Sequence, residues 1–247
     1  MRTNMKNSAR IFIALVILAG FAVLGNAVIH ANSTDMVRLV VFLVVTCVAA
    51  RFKVKLPGLT GTMSVNLPFI LVAVAEMNAA EALTVACFST LVQCLPRAQK
   101  KFNLVQAIFN FSNMALAVGA TRLLFAGSTL GAHIGSRSLL LAAAAAGFFV
   151  VNTMPVAIVI ALTESRNALR TWVGIFQLSF PYFVASAGIA GCVLTLSARI
   201  GWQVPVAVLP LMLAIFHSYR SYFSVVAAAL TAKPVGSAGS SAASASA

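Results

Sequence analysis

Residues 102–125 read FNLVQAIFNFSNMALAVGATRLLF, and this stretch decides the fold because it is apolar enough to cross a bilayer yet carries four carboxamides. They are Asn103, Gln106, Asn110 and Asn113, spaced by three, four and three residues. At about 100° per residue of an α-helix, they fall within roughly 80° of arc on one face. A carboxamide facing lipid is costly, so we expect this stripe to face other helices.

The composition indicates a membrane protein. Of 247 residues, 61% are hydrophobic and 9% are charged, whereas about a quarter of the residues of a soluble domain are charged. The net charge is +13, and the basic residues cluster in short loops beside apolar segments. This arrangement favours contact with anionic lipid headgroups over nucleic acid. The sequence therefore predicts an all-α, polytopic transmembrane helical bundle.

The apolar segments predict about eight spans, within a range of six to eight. Ile11–Ile29 is longer than the h-region of a typical signal peptide, so we expect it to be retained as the first span. The middle segments, at 39–50, 63–77 and 82–95, are shorter than the usual ~20 residues. A re-entrant segment is therefore the alternative to a full span for one of them. The later spans are predicted at 102–125, 139–163 and 172–197, with the eighth starting at 204.

The distribution of basic residues predicts the topology. With eight spans and a cytoplasmic N-terminus, thirteen of the 17 Lys and Arg residues lie on the inner side. The outer side keeps Arg38, Arg122, Arg137 and Arg199 with three of the four acids. The positive-inside rule therefore predicts that both termini are cytoplasmic. Residues 1–231 would form the integral-membrane domain, and 232–247 a disordered, Ser/Ala-rich cytoplasmic tail.

The predicted spans lack the groups that common intramembrane enzymes need. They contain no lysine for a Schiff base, no histidine for haem or zinc, and no carboxylate pair for aspartyl proteolysis. The four cysteines lie in apolar segments without a CxxC spacing, so we expect buried thiols. The chain is predicted not to be an enzyme and to bind neither a metal nor a cofactor.

Neutral polar side chains remain as candidate ligand-binding residues. Several of them precede a proline, which leaves the carbonyl four residues earlier without its helical donor. The candidates are Asn103, Gln106, Asn110, Asn113, Asn66, Gln93, Asn152 and Gln177. The simpler interpretation is hydrogen bonding between helices, worth about 0.6 kcal/mol per bond on average. In the turn EMNAAE, Glu76 and Glu81 are expected to be solvated, with gating of a cation as the alternative.

Two basic loops are candidate lipid-headgroup sites. Their residues are Arg51, Lys53, Lys55, Arg97, Lys100 and Lys101. Cations beside acidic lipids are attracted by the surface potential of the membrane. The glycine-containing stretch RFKVKLPGLTGT leaves an anion-binding nest open as the alternative for the first loop.

Four stretches, GTMSVNLPFILVAV, PRAQKKFNLVQAIFN, VNT and FHSYRSYF, carry a family resemblance across roughly residues 50–222. The chain resembles the N-terminal integral-membrane module of bacterial HD-GYP and GGDEF signalling proteins, whose cytoplasmic enzymes make or degrade cyclic di-GMP. The resemblance implies a free-standing sensory or scaffold module in the bacterial inner (plasma) membrane. No HD, GYP or GGDEF sequence follows here, so the catalytic activity is not carried over.

The sequence supports more than one function. The first hypothesis is a non-catalytic sensory or regulatory module that detects a small molecule or membrane state through its polar core. Its last helix would signal to a cytoplasmic partner or to a second copy. The alternative is a small transporter, or a substrate-binding transport subunit, for a neutral polar solute. A purely structural membrane component is the third hypothesis.

Overall fold

The computed structural model describes residues 7–31, 34–55, 62–96, 102–126, 137–201 and 203–231. Helices joined by short turns make up this part of the chain, with one short antiparallel ribbon in which Val54 lies opposite Met63. The helices are α1 (Asn7–Ile29), α2 (Met36–Arg51), α3 (Leu67–Glu76), α4 (Ala79–Cys94), α5 (Leu104–Ala126), α6 (Arg137–Glu164), α7 (Ala168–Ile200), α8 (Val204–Ala207) and α9 (Leu209–Thr231). The strands of the ribbon are β1 (Lys53–Lys55) and β2 (Thr62–Ser64). The predicted disordered tail, 232–247, lies outside the described residues.

Five helical segments of the described chain are long and apolar enough to span a membrane. They are Asn7–Ile29, Leu104–Phe125, Leu139–Glu164, Ala168–Ile200 and Val204–Tyr222. The helices α2 and α4 have 16 residues each, or about 24 Å, and α3 has 10 residues, or about 15 Å. A hydrocarbon core is about 30 Å thick, so α3 alone reaches about half of it.

The predicted span at 63–77 is not one continuous helix. Its first residues belong to β2 and to a turn, because Asn66 is the N-cap of α3 and Pro68 lies in the first helical turn. Proline is favoured at this position, since its missing N–H would have no helical acceptor there. The helix that follows is therefore shorter than the apolar run that contains it.

The short helix α3 forms the centre of the bundle. Every residue from Leu67 to Val74 is buried, and α3 packs against α7, α4, α2 and α5. A helix that is apolar on all faces is stable only when protein or lipid surrounds it completely. A helix of only 10 residues, too short to span a membrane, is thus enclosed by protein on all sides.

The longer helix α5 packs against α6, α1 and α4. Its contact with α1 is close because Gly20 lies directly on the backbone of α5. A Cβ atom at Gly20 would lie 2.5 Å from the carbonyl oxygen of Ser112, and one at Gly119 would lie 2.9 Å from Val23. Glycines at helix contacts allow the backbones of membrane helices to approach in this way.

The last helix, α9, packs against β1 at the ribbon. Its Phe216 is buried, and the centroid of the Phe216 ring lies 5.4 Å from that of Phe52. Beyond this contact, the described side chains from His217 to Val225 are all exposed. The described side chains of α9 after Phe216 therefore lie outside the packed part of the bundle.

Candidate functional site

The carboxamide stripe of α5 enters the bundle only over its second half. Asn113 is 2% exposed and Asn110 is half-buried, whereas Asn103 and Gln106 are exposed. The Asn103 side chain accepts a hydrogen bond from the Gln106 backbone N–H at 3.2 Å. Asn103 therefore acts at the start of the helix, where backbone N–H groups lack helical acceptors. The expectation of one continuous inward stripe is wrong for these first two residues.

The inner carboxamides connect α5 to two neighbouring helices. Asn113 Nδ2 donates to the Asn152 carbonyl oxygen on α6 at 2.8 Å. Asn110 Nδ2 lies 3.5 Å from Cys94 Sγ at the end of α4. The Oδ1 atom of Asn113 is buried and has no hydrogen-bond partner among the described residues. These contacts are the interhelical bonds expected from buried amides, with one acceptor left over.

Two further candidates do not join this group. Gln177 is exposed on α7, so its amide does not face the buried polar residues. Gln93 is half-buried, and its backbone carbonyl accepts a hydrogen bond from Lys53 Nζ. The spacing of polar residues along a helix does not show which face of that helix other helices will cover.

A second polar group holds the N-terminal end of α3. Asn66 is 4% exposed, accepts from Ser64 Oγ at 2.7 Å, and donates to Ser89 Oγ on α4 at 3.1 Å. Tyr182 Oη donates to the Ser64 carbonyl at 2.9 Å and accepts from the Leu67 N–H at 3.3 Å. The Tyr182 hydroxyl thus supplies an acceptor that the first turn of a helix lacks. Asn66 is a candidate from its place in an apolar segment before a proline, whereas no local sequence pattern indicates Tyr182, which lies on a helix distant in sequence.

An arginine holds the other end of α3. Arg122 Nη1 donates to the carbonyl oxygens of Val74 at 3.1 Å and Met77 at 2.5 Å. The last carbonyls of a helix have no helical donors, and the negative end of the helix dipole favours a cation there. The α3 helix is therefore capped at both ends by side chains from other helices.

The end of α3 also carries an ion pair, which no sequence pattern predicts. Arg38 Nη2 lies 2.5 Å from Glu76 Oε2. Asn78 and Glu81 form a capping box at the start of α4, and Glu81 Oε1 accepts from the Asp35 N–H at 3.1 Å. Glu81 is 6% exposed, so the expectation of two solvated turn carboxylates is wrong. The carboxylate is buried because it satisfies backbone N–H groups of two segments.

These residues form one charge cluster, defined as Asp35, Arg38, Glu76, Glu81 and Arg122. It contains three of the four acids in the chain. The cluster lies where α2 and α4 begin and where α3 and α5 end. The positive-inside rule predicts all of these charges on the outer side of the membrane.

The candidate headgroup residues are described only in part. Lys53 Nζ donates to the carbonyls of Gln93 and Leu95, so it caps the C-terminal end of α4. Arg51 is exposed. Arg97, Lys100 and Lys101 lie outside the described residues, as does the side chain of Lys55. Among the six candidate headgroup residues, Lys53 thus forms hydrogen bonds to the backbone of α4 and of the residue that follows it.

A cleft of about 820 Å³ lies between α6 and α7. Leu141, Ala145, Phe149 and Phe183 are buried at its floor, and the cleft contains none of the candidate carboxamides. Its size and apolar lining are typical of small-molecule sites. The polar contacts thus hold α3 in place, while the cleft offers an apolar surface.

Comparisons with protein-family models, with curated proteins and with solved structures find no match to this chain.

Proposed function

We propose that this protein is a non-catalytic sensory or regulatory module of the bacterial inner membrane, in which α3 and the ribbon transmit a change in the bundle to α9. One observation carries this proposal: the ribbon contacts both the polar group at α3 and the last helix. Ser64 of β2 bonds to Tyr182, while Phe52, directly before β1, packs against Phe216. A displacement of α7 or α3 would therefore move the surface on which α9 rests.

The first part of this route is polar and buried. Asn66 and Ser64 bond to each other and, through Ser89 and Tyr182, to α4 and α7. Polar groups in such a network prefer one arrangement, because losing a partner leaves a buried donor or acceptor unsatisfied. A small molecule or a change in the membrane that moved α7 against α4 would thus shift Ser64 and the ribbon with it.

The second part of the route ends on an exposed surface. The described side chains of α9 beyond Phe216 include His217, Arg220 and Tyr222, all exposed. Aromatic and basic residues are enriched where helices leave the membrane, which supports a cytoplasmic position for this segment. A cytoplasmic signalling partner, or a second copy of the chain, would bind there.

The same contacts support eight crossings with both termini in the cytoplasm. The charge cluster joins the beginnings of α2 and α4 to the ends of α3 and α5, as alternating helices require. The strand β2 adds about 10 Å to the ~15 Å of α3, so together they approach the thickness of the hydrocarbon core. Reporter fusions after residues 31 and 231 test this topology: we expect a periplasmic and a cytoplasmic signal, respectively, and the reverse at either position would contradict it.

Hydrogen–deuterium exchange of the full chain in lipid nanodiscs tests the proposed route. Tyr182→Phe is expected to increase exchange in α3, in the ribbon and in residues 217–225 of α9. Thr163→Val is the matched control, because it removes an exposed hydroxyl that bonds within its own helix α6. Faster exchange confined to α7 and α3, with α9 unchanged, would overturn the proposal.

Transport remains the second candidate, because α3 is a short helix that begins inside the bundle, at the buried polar residues Ser64 and Asn66. Broken helices of this kind surround the solute sites of many transporters. Thermal-shift screening of neutral polar solutes, followed by uptake into proteoliposomes, distinguishes the two functions. A solute that stabilises the protein and accumulates, with accumulation lost in Asn113→Leu, would favour transport. Stabilisation without accumulation would favour sensing.

A further inference from the structure

The cleft between α6 and α7 opens away from the bundle. Its floor is buried, but Val184 is 55% exposed and Leu196 is 45% exposed at its margin. Gly188 also lines it, and a Cβ atom added there would meet nothing within 4 Å. The cleft is therefore an apolar groove that the described chain leaves unfilled and that a neighbouring molecule in the bilayer can enter from the side.

Arg199 lies on the same face of α7 as the lining residues at one end of this groove. Cys192, Thr195 and Leu196 line the cleft, and Arg199 follows them at spacings of seven, four and three residues. Residues at these spacings share one face of a helix, and a helical side chain leans back toward the preceding turn. Arg199 is exposed, so its guanidinium group is available at the end of the groove. On the facing helix, Arg137 begins α6 one turn before Leu141 of the floor.

Among the described residues, no acidic side chain pairs with Arg199 at this end of the groove. The chain contains four acids. Asp35, Glu76 and Glu81 belong to the charge cluster, and Glu164 pairs with Arg166 near the opposite end of α6. An anion that neutralises Arg199 must therefore come from outside the protein.

The length of α7 matches the thickness of a bilayer that includes its headgroups. Arg170 and Arg199 are 29 positions apart on one helix, which corresponds to about 44 Å. A bilayer including its headgroups is about 40 to 45 Å thick. If α7 crosses the membrane, the two arginines lie in opposite headgroup regions and the groove lies beneath one of them.

We propose that the α6–α7 cleft binds an anionic phospholipid of the adjoining leaflet, with an acyl chain along the floor and the phosphate paired with Arg199. The apolar lining suits the acyl chain of the lipid, and the exposed guanidinium group suits its phosphate. Gly188 has no side chain to narrow the groove, so the acyl chain has room to enter it. This proposal does not depend on transmission through α9, and either can fail alone.

Native mass spectrometry of the delipidated full chain tests the site, using phosphatidylglycerol and phosphatidylcholine with identical acyl chains. We expect one phosphatidylglycerol to bind more tightly than phosphatidylcholine. Arg199→Gln should weaken phosphatidylglycerol binding about fivefold, the effect of one basic residue near an anionic lipid. Arg170→Gln is the matched control at the other end of α7 and should retain the site.

The groove itself is tested by filling it. Gly188→Leu places a side chain in the cleft and is expected to abolish the bound lipid, while Gly174→Leu should not. Gly174 is the matched control because a Cβ atom there also meets nothing within 4 Å, and it lies outside the lining. Thr195→Leu, at an exposed position of the lining, provides a second filling variant if Gly188→Leu fails to fold.

Three results would overturn the proposal. The first is equal binding of the two lipids by the wild-type chain. The second is an equal loss in Arg199→Gln and Arg170→Gln, which would indicate general attraction of anionic lipid. The third is a dimer that dissociates in Gly188→Leu without any change in lipid, which would place a second copy of the chain in the groove.

Discussion

The hydroxyl of Tyr182 donates a hydrogen bond to the backbone carbonyl of Ser64, with 2.9 Å between the two oxygens. The same hydroxyl accepts the backbone N–H of Leu67, so one side chain of α7 links β2 to the first residue of α3. The two ends of this contact are 118 residues apart. It joins the buried helix to the ribbon on which α9 packs.

Removing this hydroxyl is expected to destabilise the bundle modestly. Tyr182→Phe should lower the free energy of unfolding by about 1 kcal/mol, since interhelical hydrogen bonds in membranes are individually weak. Part of this cost is the unsatisfied N–H of Leu67. Reversible unfolding in mixed micelles provides the measurement, and Thr163→Val should leave it unchanged. A phenylalanine variant as stable as the wild type would show that another group replaces the hydroxyl.

The guanidinium of Arg122 caps the C-terminal end of α3, and losing it should cost more than losing the tyrosine hydroxyl. Arg122→Gln is expected to lower the free energy of unfolding by about 2 kcal/mol, because hydrogen bonds to charged groups are the stronger ones. Hydrogen exchange should also increase at the turn that contains Met77. The exposed Arg199 provides the control: Arg199→Gln, measured in lipid-free micelles, should change the stability by less than about 0.5 kcal/mol. Equal effects of the two substitutions would contradict the capping role.

Arg38 and Glu76 should be energetically coupled. Their side chains are 24% and 15% exposed, which limits screening of the pair by solvent. A double-mutant cycle with Arg38→Gln and Glu76→Gln is expected to give a coupling energy of about 1 kcal/mol. The pair Glu164 and Arg166 is the control, because its side chains are 38% and 63% exposed, and exposed pairs contribute little. Strictly additive effects at Arg38 and Glu76 would show that the ion pair does not stabilise the fold.

Two glycines of α1 should differ in their tolerance of the same substitution. Gly20→Leu is expected to destabilise the protein by about 3 kcal/mol or more, because its Cβ atom would collide with the Ser112 backbone, which cannot rotate away. A Cβ atom at Gly25 meets nothing within 4 Å, so Gly25→Leu should be tolerated. Thermal unfolding in detergent compares the two variants. Similar melting temperatures would mean that α1 and α5 do not pack closely in the membrane.

Residue patterns predicted part of the candidate site and misplaced the rest. Asn66 and Asn113 are buried and hydrogen-bonded, as expected of amides in apolar segments. Asn103 and Gln177 are exposed, because helical periodicity defines a face but does not state which neighbours cover it. Glu81 looked like a solvated turn residue. It is buried because α2 begins beside it and supplies the Asp35 N–H, a contact between separate helices.

The sequence by itself determined that the chain is helical and carries several segments able to span a membrane. That information is local, since segment length and apolarity can be compared directly with the thickness of a bilayer. Only the tertiary structure decided that α3, a helix of 10 residues, lies at the centre and is capped by Tyr182 and Arg122. It also decided that α6 and α7 leave an apolar groove. Such contacts depend on which faces of the helices meet. In lipid no hydrophobic effect drives helices together, so their packing depends on the fit of their surfaces, which the hydrophobicity of a segment does not indicate.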